Sequence, residues 1–232
     1  MKKTRDIQNS PEIDGRAIYS DEFYEEYISR FEPNNKKRLG FRFIKRSFDI
    51  IGSLFLMTLL AFPMLVIAIV IKCDSKGSVI FDGERVGRDG KKFKCYKFRT
   101  MKTDAPSDCP SSQLADSEAH QTRVGKFLRR YSLDELPQIL CVLVGTMSFI
   151  GYRPLVPAER GCNDMREKLG VLKMRPGISG YAQVNGRDKV YYKNKAIMDA
   201  YYVKHASIWL DTKIMIKTLA VVFSQKEDAP EK

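Results

Sequence analysis

Apolar and polar residues are distributed unevenly along this chain. From Ile50 to Ile71, 22 residues carry no charge, and as a helix they would extend about 33 Å, enough to enter a bilayer. Soluble domains rarely hold a helix of this length with an uncharged circumference, so the pattern predicts membrane insertion. Both flanks are basic, with Lys36 to Arg46 before the segment and a run of cations from Lys72 to Arg99 after it. Cationic loops stay on the cytoplasmic side, so a simple span would strand one flank. Pro63 removes a helix hydrogen bond, and the expectation is a re-entrant hairpin that turns there with both ends inside.

Beyond this segment the pattern becomes short-range. Ser78–Phe81 and Phe93–Phe98 predict two strands joined through Arg88-Asp89-Gly90, whose Asp-Gly is a hairpin signal. Lys102 to about Gln121 reads as a polar surface loop. Val124, Phe127, Leu128 and Tyr131 fall at i, i+3, i+4, i+7 among arginines and lysines, which predicts a basic amphipathic helix suited to an anionic membrane surface. An apolar helix should follow from about Leu136 to Val144, ended by Gly145. Ile150–Leu155 and the Gly-rich stretch Arg175–Arg187 read as loops displaying arginines, the glycines allowing close approach to phosphate or simply a solvated turn. Ala196–Phe223 has helical character, interrupted by charge too often to span and suited to lying in the interface. Residues 1–35, rich in acids and scattered aromatics, read as an appendage with a short helix.

Composition adds a partner class. The 232 residues hold 40 Lys+Arg against 28 Asp+Glu, net +12, which implies a polyanionic partner: nucleic acid, anionic lipid or a phosphorylated substrate. No helix-turn-helix, zinc-finger or RNA-binding signature is present, and the cations cluster around membrane-seeking segments, so nucleic acid is not expected. The five cysteines never form a Cys-x-x-Cys pair, which argues against a disulfide framework or a zinc site and suits a reducing cytoplasm. Two histidines, with no Gly-x-Ser-x-Gly or His-Glu-x-x-His, leave histidine-based hydrolase and metalloprotease chemistry little support.

The best candidate for chemistry is Ser132-Leu133-Asp134-Glu135-Leu136-Pro137-Gln138, where adjacent carboxylates follow Arg129-Arg130. One reading is a capping box, Ser132 to Glu135, at the start of the next helix. Pro137 would then sit at the fifth helical position and cost a hydrogen bond. A helix starting at Asp134 or Glu135 puts Pro137 in the first turn and frees a carboxylate. Acids among cations at a membrane surface suit a metal-chelated diphosphate substrate meeting a lipid phosphate.

Together these stretches resemble a family. Lys45-Arg46-Ser47-Phe48-Asp49, Lys97-Phe98-Arg99-Thr100-Met101, Ser132–Gln138, Met147–Gly151 with Arg153-Pro154-Leu155, and Pro176–Arg187 are similar, in the same order, to motifs of the bacterial monotopic phosphoglycosyl transferases, small single-domain type. The resemblance runs from about Lys45 to Phe223. It implies transfer of a sugar-1-phosphate from a UDP-sugar to polyprenyl phosphate, with UMP released, at the cytoplasmic face of the bacterial inner membrane. It also implies roles: Asp134 as nucleophile of a ping-pong reaction, Glu135 as ligand to a Mg²⁺ cofactor, and Lys91, Arg129, Arg153, Arg175 and Arg187 as phosphate or nucleotide contacts. Homo-oligomerisation stays open.

The expected architecture is α+β, mainly α: a re-entrant membrane hairpin, interfacial amphipathic helices and a small cytoplasmic β-hairpin. Its parts are the appendage (1–35), basic flank and membrane helix (36–75), catalytic domain (76–225) and tail (226–232). The chain departs from the family's usual pattern at Phe62, Gly83, Cys141, Thr146 and Tyr152, and the rival reading is a catalytically degenerate, membrane-tethered binding protein.

Overall fold

A computed structural model of the chain describes residues 19–32, 39–103, 120–186 and 191–224. It is 64% helical. The first helix, α1 (Asp21–Arg30), is capped by Ser20, whose Oγ accepts from Phe23 N at 3.3 Å, with acids in the first turn where the helix dipole favours them. Tyr24, Tyr27 and Phe31 are buried in the largest apolar core. Tyr24 Oη donates to the buried Asn194 Oδ1 at 2.8 Å, so the segment expected as an appendage is, from Tyr19 on, part of the main packed body.

The apolar segment lies in α2 (Leu39–Asp74), and Pro63 stands inside that one helix. The separate hairpin arms expected at Pro63 do not form, because one missing N–H bends a helix more readily than it ends one. Only 6% of the most apolar 18-residue window is buried, unlike the core helix of a soluble domain. Both halves nevertheless pack on the same body. Before the proline, Arg46 donates to Val142 O and Leu143 O, each at 2.6 Å, and Asp49 Oδ1 accepts from Ser148 Oγ at 3.0 Å and Phe149 N at 3.1 Å. After it, Met64, Ile67, Ala68 and Ile71 pack with Phe98 and Leu128.

The expected hairpin is present as β1 (Ile80–Val86) and β2 (Lys92–Phe98), antiparallel with Val86 opposite Lys92. Asp89 and Gly90 take the positive φ, 56° and 72°, that the Asp-Gly signal implies. β1 runs further than expected because its polar residues pair across the ribbon, Asp82 with Lys94 and Glu84 with Lys92. Then come α3 (Arg123–Arg130), a 3₁₀ turn (Leu133–Glu135) and α4 (Gln138–Val144), ended by Gly145 at φ 89°.

β3 (Ser148–Ile150) and β4 (Gly177–Ser179) form a parallel pair, joined by α5 (Arg160–Lys168). The sequence suggested only loops here. Gly151 and Gly177 serve this pairing: a Cβ on either would strike the other strand's backbone, so they admit protein backbone where phosphate was one expectation. Part of the Gly-rich stretch is α6 (Tyr181–Gly186). The C-terminal helical stretch divides into α7 (Tyr192–His205) and α8 (Ile208–Ser224), because Ser207 Oγ accepts from Leu210 N at 3.2 Å and starts a new helix. Lys45 on α2 and Tyr202 on α7 both reach Asp211 at 2.6 Å, tying α8 to the long apolar helix.

α5 and α7 meet at a buried ion pair. Arg166, 0% exposed, donates to Asp199 Oδ2 from Nε at 2.9 Å and Nη2 at 2.6 Å. Removing one member of such a pair leaves an uncompensated charge. Arg166→Met is therefore expected to cost ~3–5 kcal/mol in denaturant unfolding of the detergent-solubilised protein, and Arg166→Met with Asp199→Leu to recover most of it. A double variant as unstable as the single one would contradict this.

Candidate active site

α3 is held against the end of β2. Thr122 caps it, its Oγ1 accepting from Gly125 N at 2.9 Å, and Thr122 N donates to Thr100 O at 3.0 Å. Gly125 packs directly on the Thr100 backbone, where a Cβ would clash. Arg129 Nε then donates to Thr100 Oγ1 at 2.9 Å, so β2 and α3 together fix the last turn of the basic helix.

The capping box does not form. Ser132 is in the left-handed region, φ 54° and ψ 22°, and its side chain makes no cap bond. A left-handed serine is uncommon, and here it reverses the chain so that the 3₁₀ turn leaves α3. Pro137 takes the N-cap position of α4 with helical φ, and the helix begins at Gln138. The proline thus costs α4 no internal bond. Asp134 and Glu135 stand on the turn between two helices.

Their environments differ. Glu135 Oε1 accepts from Lys97 Nζ at 2.6 Å and Arg153 Nη2 at 2.9 Å. Burial pushes this carboxyl up, but the charges and hydrogen bonds of Arg153 and Lys97 outweigh it and hold Glu135 well below the usual carboxylate range. Asp134 is 8% exposed; burial raises its pKa, Lys97, Arg129 and Arg153 oppose that, and Glu135 adds to it. Ionisation of Asp134 thus relies on neighbouring cations.

Each cation has its own support. Lys97 projects from β2. Arg153 follows β3, and its carbonyl accepts from Arg166 Nη1 at 2.9 Å, while Arg166 also lies over the Tyr152 ring at 5.0 Å. A cleft of about 1020 Å³ opens here, lined by the acid pair with Lys97, Arg129 and Arg153, and reaching Leu56 and Leu60 of α2.

The other sequence candidates lie elsewhere. Lys91 follows the Asp-Gly turn, where its carbonyl accepts from Gly87 N at 2.8 Å, and it does not line the cleft. Arg175 Nε donates to Gly145 O at 2.7 Å, closing the carbonyl end of α4 together with Arg46, also outside the cleft. Arg187 lies outside the described residues, and Pro63 stands inside the continuous helix α2. Lys97 belongs to the Lys97–Met101 motif but is not among the contacts the resemblance implies; its alternation with Arg99 along an extended segment is the signal that marks it. Arg166 and Asp199 gave no local signal, since their pairing comes from α5 packing on α7.

The departures from the family pattern fall in the scaffold. Cys141 and Tyr152 are each 1% exposed, Thr146 Oγ1 donates to Cys141 O at 3.1 Å, Phe62 is 75% exposed on the membrane helix, and Gly83 is buried within β1. None of these lines the cleft.

Comparison with known proteins agrees with this geometry. A UDP-galactose-lipid carrier transferase of Erwinia amylovora is 36% identical over 241 residues, covering 95% of this chain and 50% of that protein. A UDP-glucose:undecaprenyl-phosphate glucose-1-phosphate transferase of Escherichia coli is 38% identical over 195 residues, 80% of this chain and 41% of the relative. Exopolysaccharide production protein ExoY of Rhizobium meliloti is 34% identical over 192 residues, 77% of this chain and 84% of the relative. The chain thus spans about half the length of the first of these and most of the last. The family model described as bacterial sugar transferase matches residues 40–225, and the chain belongs to that family.

Proposed function

We propose that the chain transfers a sugar-1-phosphate from a UDP-sugar to polyprenyl phosphate, giving polyprenyl-diphosphate-sugar and UMP, as a membrane step of glycan assembly. The observation that carries this is the buried Asp134 beside a cation-held Glu135, in a cleft that continues to the membrane helix. The names of the relatives support the substrate classes.

In the first half-reaction an Asp134 oxygen attacks the β-phosphorus of the UDP-sugar, the bond from that phosphorus to the UMP oxygen breaks, and UMP leaves. A sugar-phosphoryl aspartate remains. In the second, an oxygen of polyprenyl phosphate attacks the same phosphorus, the bond to Asp134 breaks, and the carboxylate is restored. Lys97, Arg129 and Arg153 stand where they neutralise phosphoryl oxygens as charge moves between them. Among the described residues no group of three or more metal-binding side chains occurs. That fits Mg²⁺, which is commonly held by one or two carboxylates together with substrate phosphates and water. Glu135, whose Oε1 accepts from Lys97 and Arg153, would hold it. When bound, Mg²⁺ would offset the diphosphate charge and stabilise departing UMP.

Release of UMP from a panel of UDP-sugars, with polyprenyl phosphate and Mg²⁺ in detergent, tests the reading. Asp134→Asn should lower the rate by at least ~10³-fold, and chelation should stop the reaction until Mg²⁺ is restored. A variant keeping more than about a tenth of the rate would remove Asp134 as nucleophile, and no release with any donor would favour the binding-protein reading.

Membrane topology belongs to the same proposal. Because residues on both sides of Pro63 pack on one body, the bent helix would enter and leave the membrane on the cytoplasmic side. Arg42→Cys and Lys76→Cys, introduced singly with Cys73 and Cys109 replaced by serine, should both react with an impermeant maleimide only from the cytoplasmic face. Labelling from opposite faces would contradict re-entry.

A further inference from the structure

Among the described cations lining the cleft, Arg99 has unsatisfied buried donors. It is 8% exposed. Its Nη2 donates to Ser75 O at 2.7 Å and Ser75 Oγ at 2.8 Å, whereas Nε and Nη1 are buried and meet no acceptor among the described residues. A buried donor without a partner is costly, and more so on a charged group. A strap between β2 and the end of α2 would need only the Ser75 bonds, so the remaining donors suit an acceptor that arrives from outside.

The position narrows what that acceptor is. Arg99 N donates to Val79 O at 2.9 Å, continuing the β1–β2 ladder, so Lys97 and Arg99 project from the same face, about 6.6 Å apart along the strand. Lys97 holds Glu135. Arg99 therefore stands one step along the cleft from the acid pair, beside Ser75, which follows the end of α2 at Asp74. Gly77, at φ 117°, lets the chain lie against this guanidinium, since a Cβ there would strike Nη1. Lys102 adds charge to the cleft wall, and Leu56 and Leu60 of α2 supply apolar surface. The fitting occupant has an anionic, acceptor-rich head and an apolar tail that leaves along the membrane helix.

We propose that Arg99 binds the phosphate head of the isoprenoid acceptor, while Lys97, Arg129 and Arg153 serve the donor diphosphate. This rests on the transferase reading and adds the residue that receives the second substrate. Placing the two anions on separate cations lets the acceptor approach the phosphorus held at Asp134 without displacing the groups that neutralise it.

The test uses the full chain in detergent, with Arg99→Gln and Arg99→Lys, and two readouts. In steady-state kinetics, Arg99→Gln should raise KM for polyprenyl phosphate by about tenfold or more and KM for the UDP-sugar by less than about threefold, with Arg99→Lys between it and the parent. In thermal unfolding, farnesyl phosphate should stabilise the parent protein and not Arg99→Gln, with farnesol and inorganic phosphate each giving a smaller shift. An equal rise in both KM values, or a less stable variant that still binds farnesyl phosphate as the parent does, would make Arg99 a structural strap and overturn the proposal. A shift with inorganic phosphate as large as with farnesyl phosphate would overturn the lipid assignment. An Arg99-dependent farnesyl phosphate shift in a protein that releases UMP from no donor would support the site while overturning the transferase reading.

Discussion

Neighbouring carboxylates cannot leave water together unless fixed positive charge meets them, and the fold around Asp134 and Glu135 is arranged to supply it. Lys97 and Arg153 converge on Glu135 Oε1, and Arg129 is anchored on Thr100. The three come from a strand, a loop and a helix far apart in sequence, so every element that holds one of them in place bears on the site. The β1–β2 ribbon aims Lys97, the Arg166–Asp199 pair fixes the carbonyl of Arg153, and Gly125 lets α3 lie close enough to β2 for Arg129 to reach Thr100. The result separates two chemically identical groups: Glu135 is held charged by direct ion pairs, while Asp134 is buried beside them on the 3₁₀ turn that follows the left-handed Ser132.

The long apolar helix is bound into the same arrangement. Arg46 and Arg175 meet the carbonyl end of α4, whose other end begins just after the acid pair, and Asp49 meets the start of β3, from which Arg153 follows. Past Pro63 the helix returns to pack on Phe98 and Leu128. The long apolar helix and the cleft geometry are thus mechanically linked. The cleft reaches Leu56 and Leu60, so apolar helix surface adjoins the cations that line it.

Elements that depend on local signals were legible in the sequence. The uncharged run of α2, the Asp-Gly hairpin, the periodicity of α3 and the Gly145 stop of α4 each follow from a few neighbouring residues. Features that depend on distant partners were not. β3 and β4 have three residues each, too few for a visible alternation, and their parallel pairing joins segments 27 or more residues apart, with α8 packed on both. Tyr24 and Tyr27 look like scattered surface aromatics until α7 is placed against them. At the site, the acids and two of the arginines carried motif signals, whereas Lys97 is recognisable only once the strand's facing is known. Ser132 misled in the opposite direction, because a capping-box pattern says nothing about a left-handed backbone that aims the acids into a cleft.

The central claim is that the buried Asp134, kept reactive by cations engaged with its neighbour, itself becomes bonded to phosphorus. Intact-protein mass spectrometry of the chain mixed with its UDP-sugar donor and Mg²⁺, without polyprenyl phosphate, tests this most directly. The account predicts a mass gain of one sugar phosphate, mapping to the peptide that contains Asp134 and discharged when acceptor is added. An unmodified protein that releases UMP only when both substrates are present would contradict it, and would show direct transfer between two bound substrates.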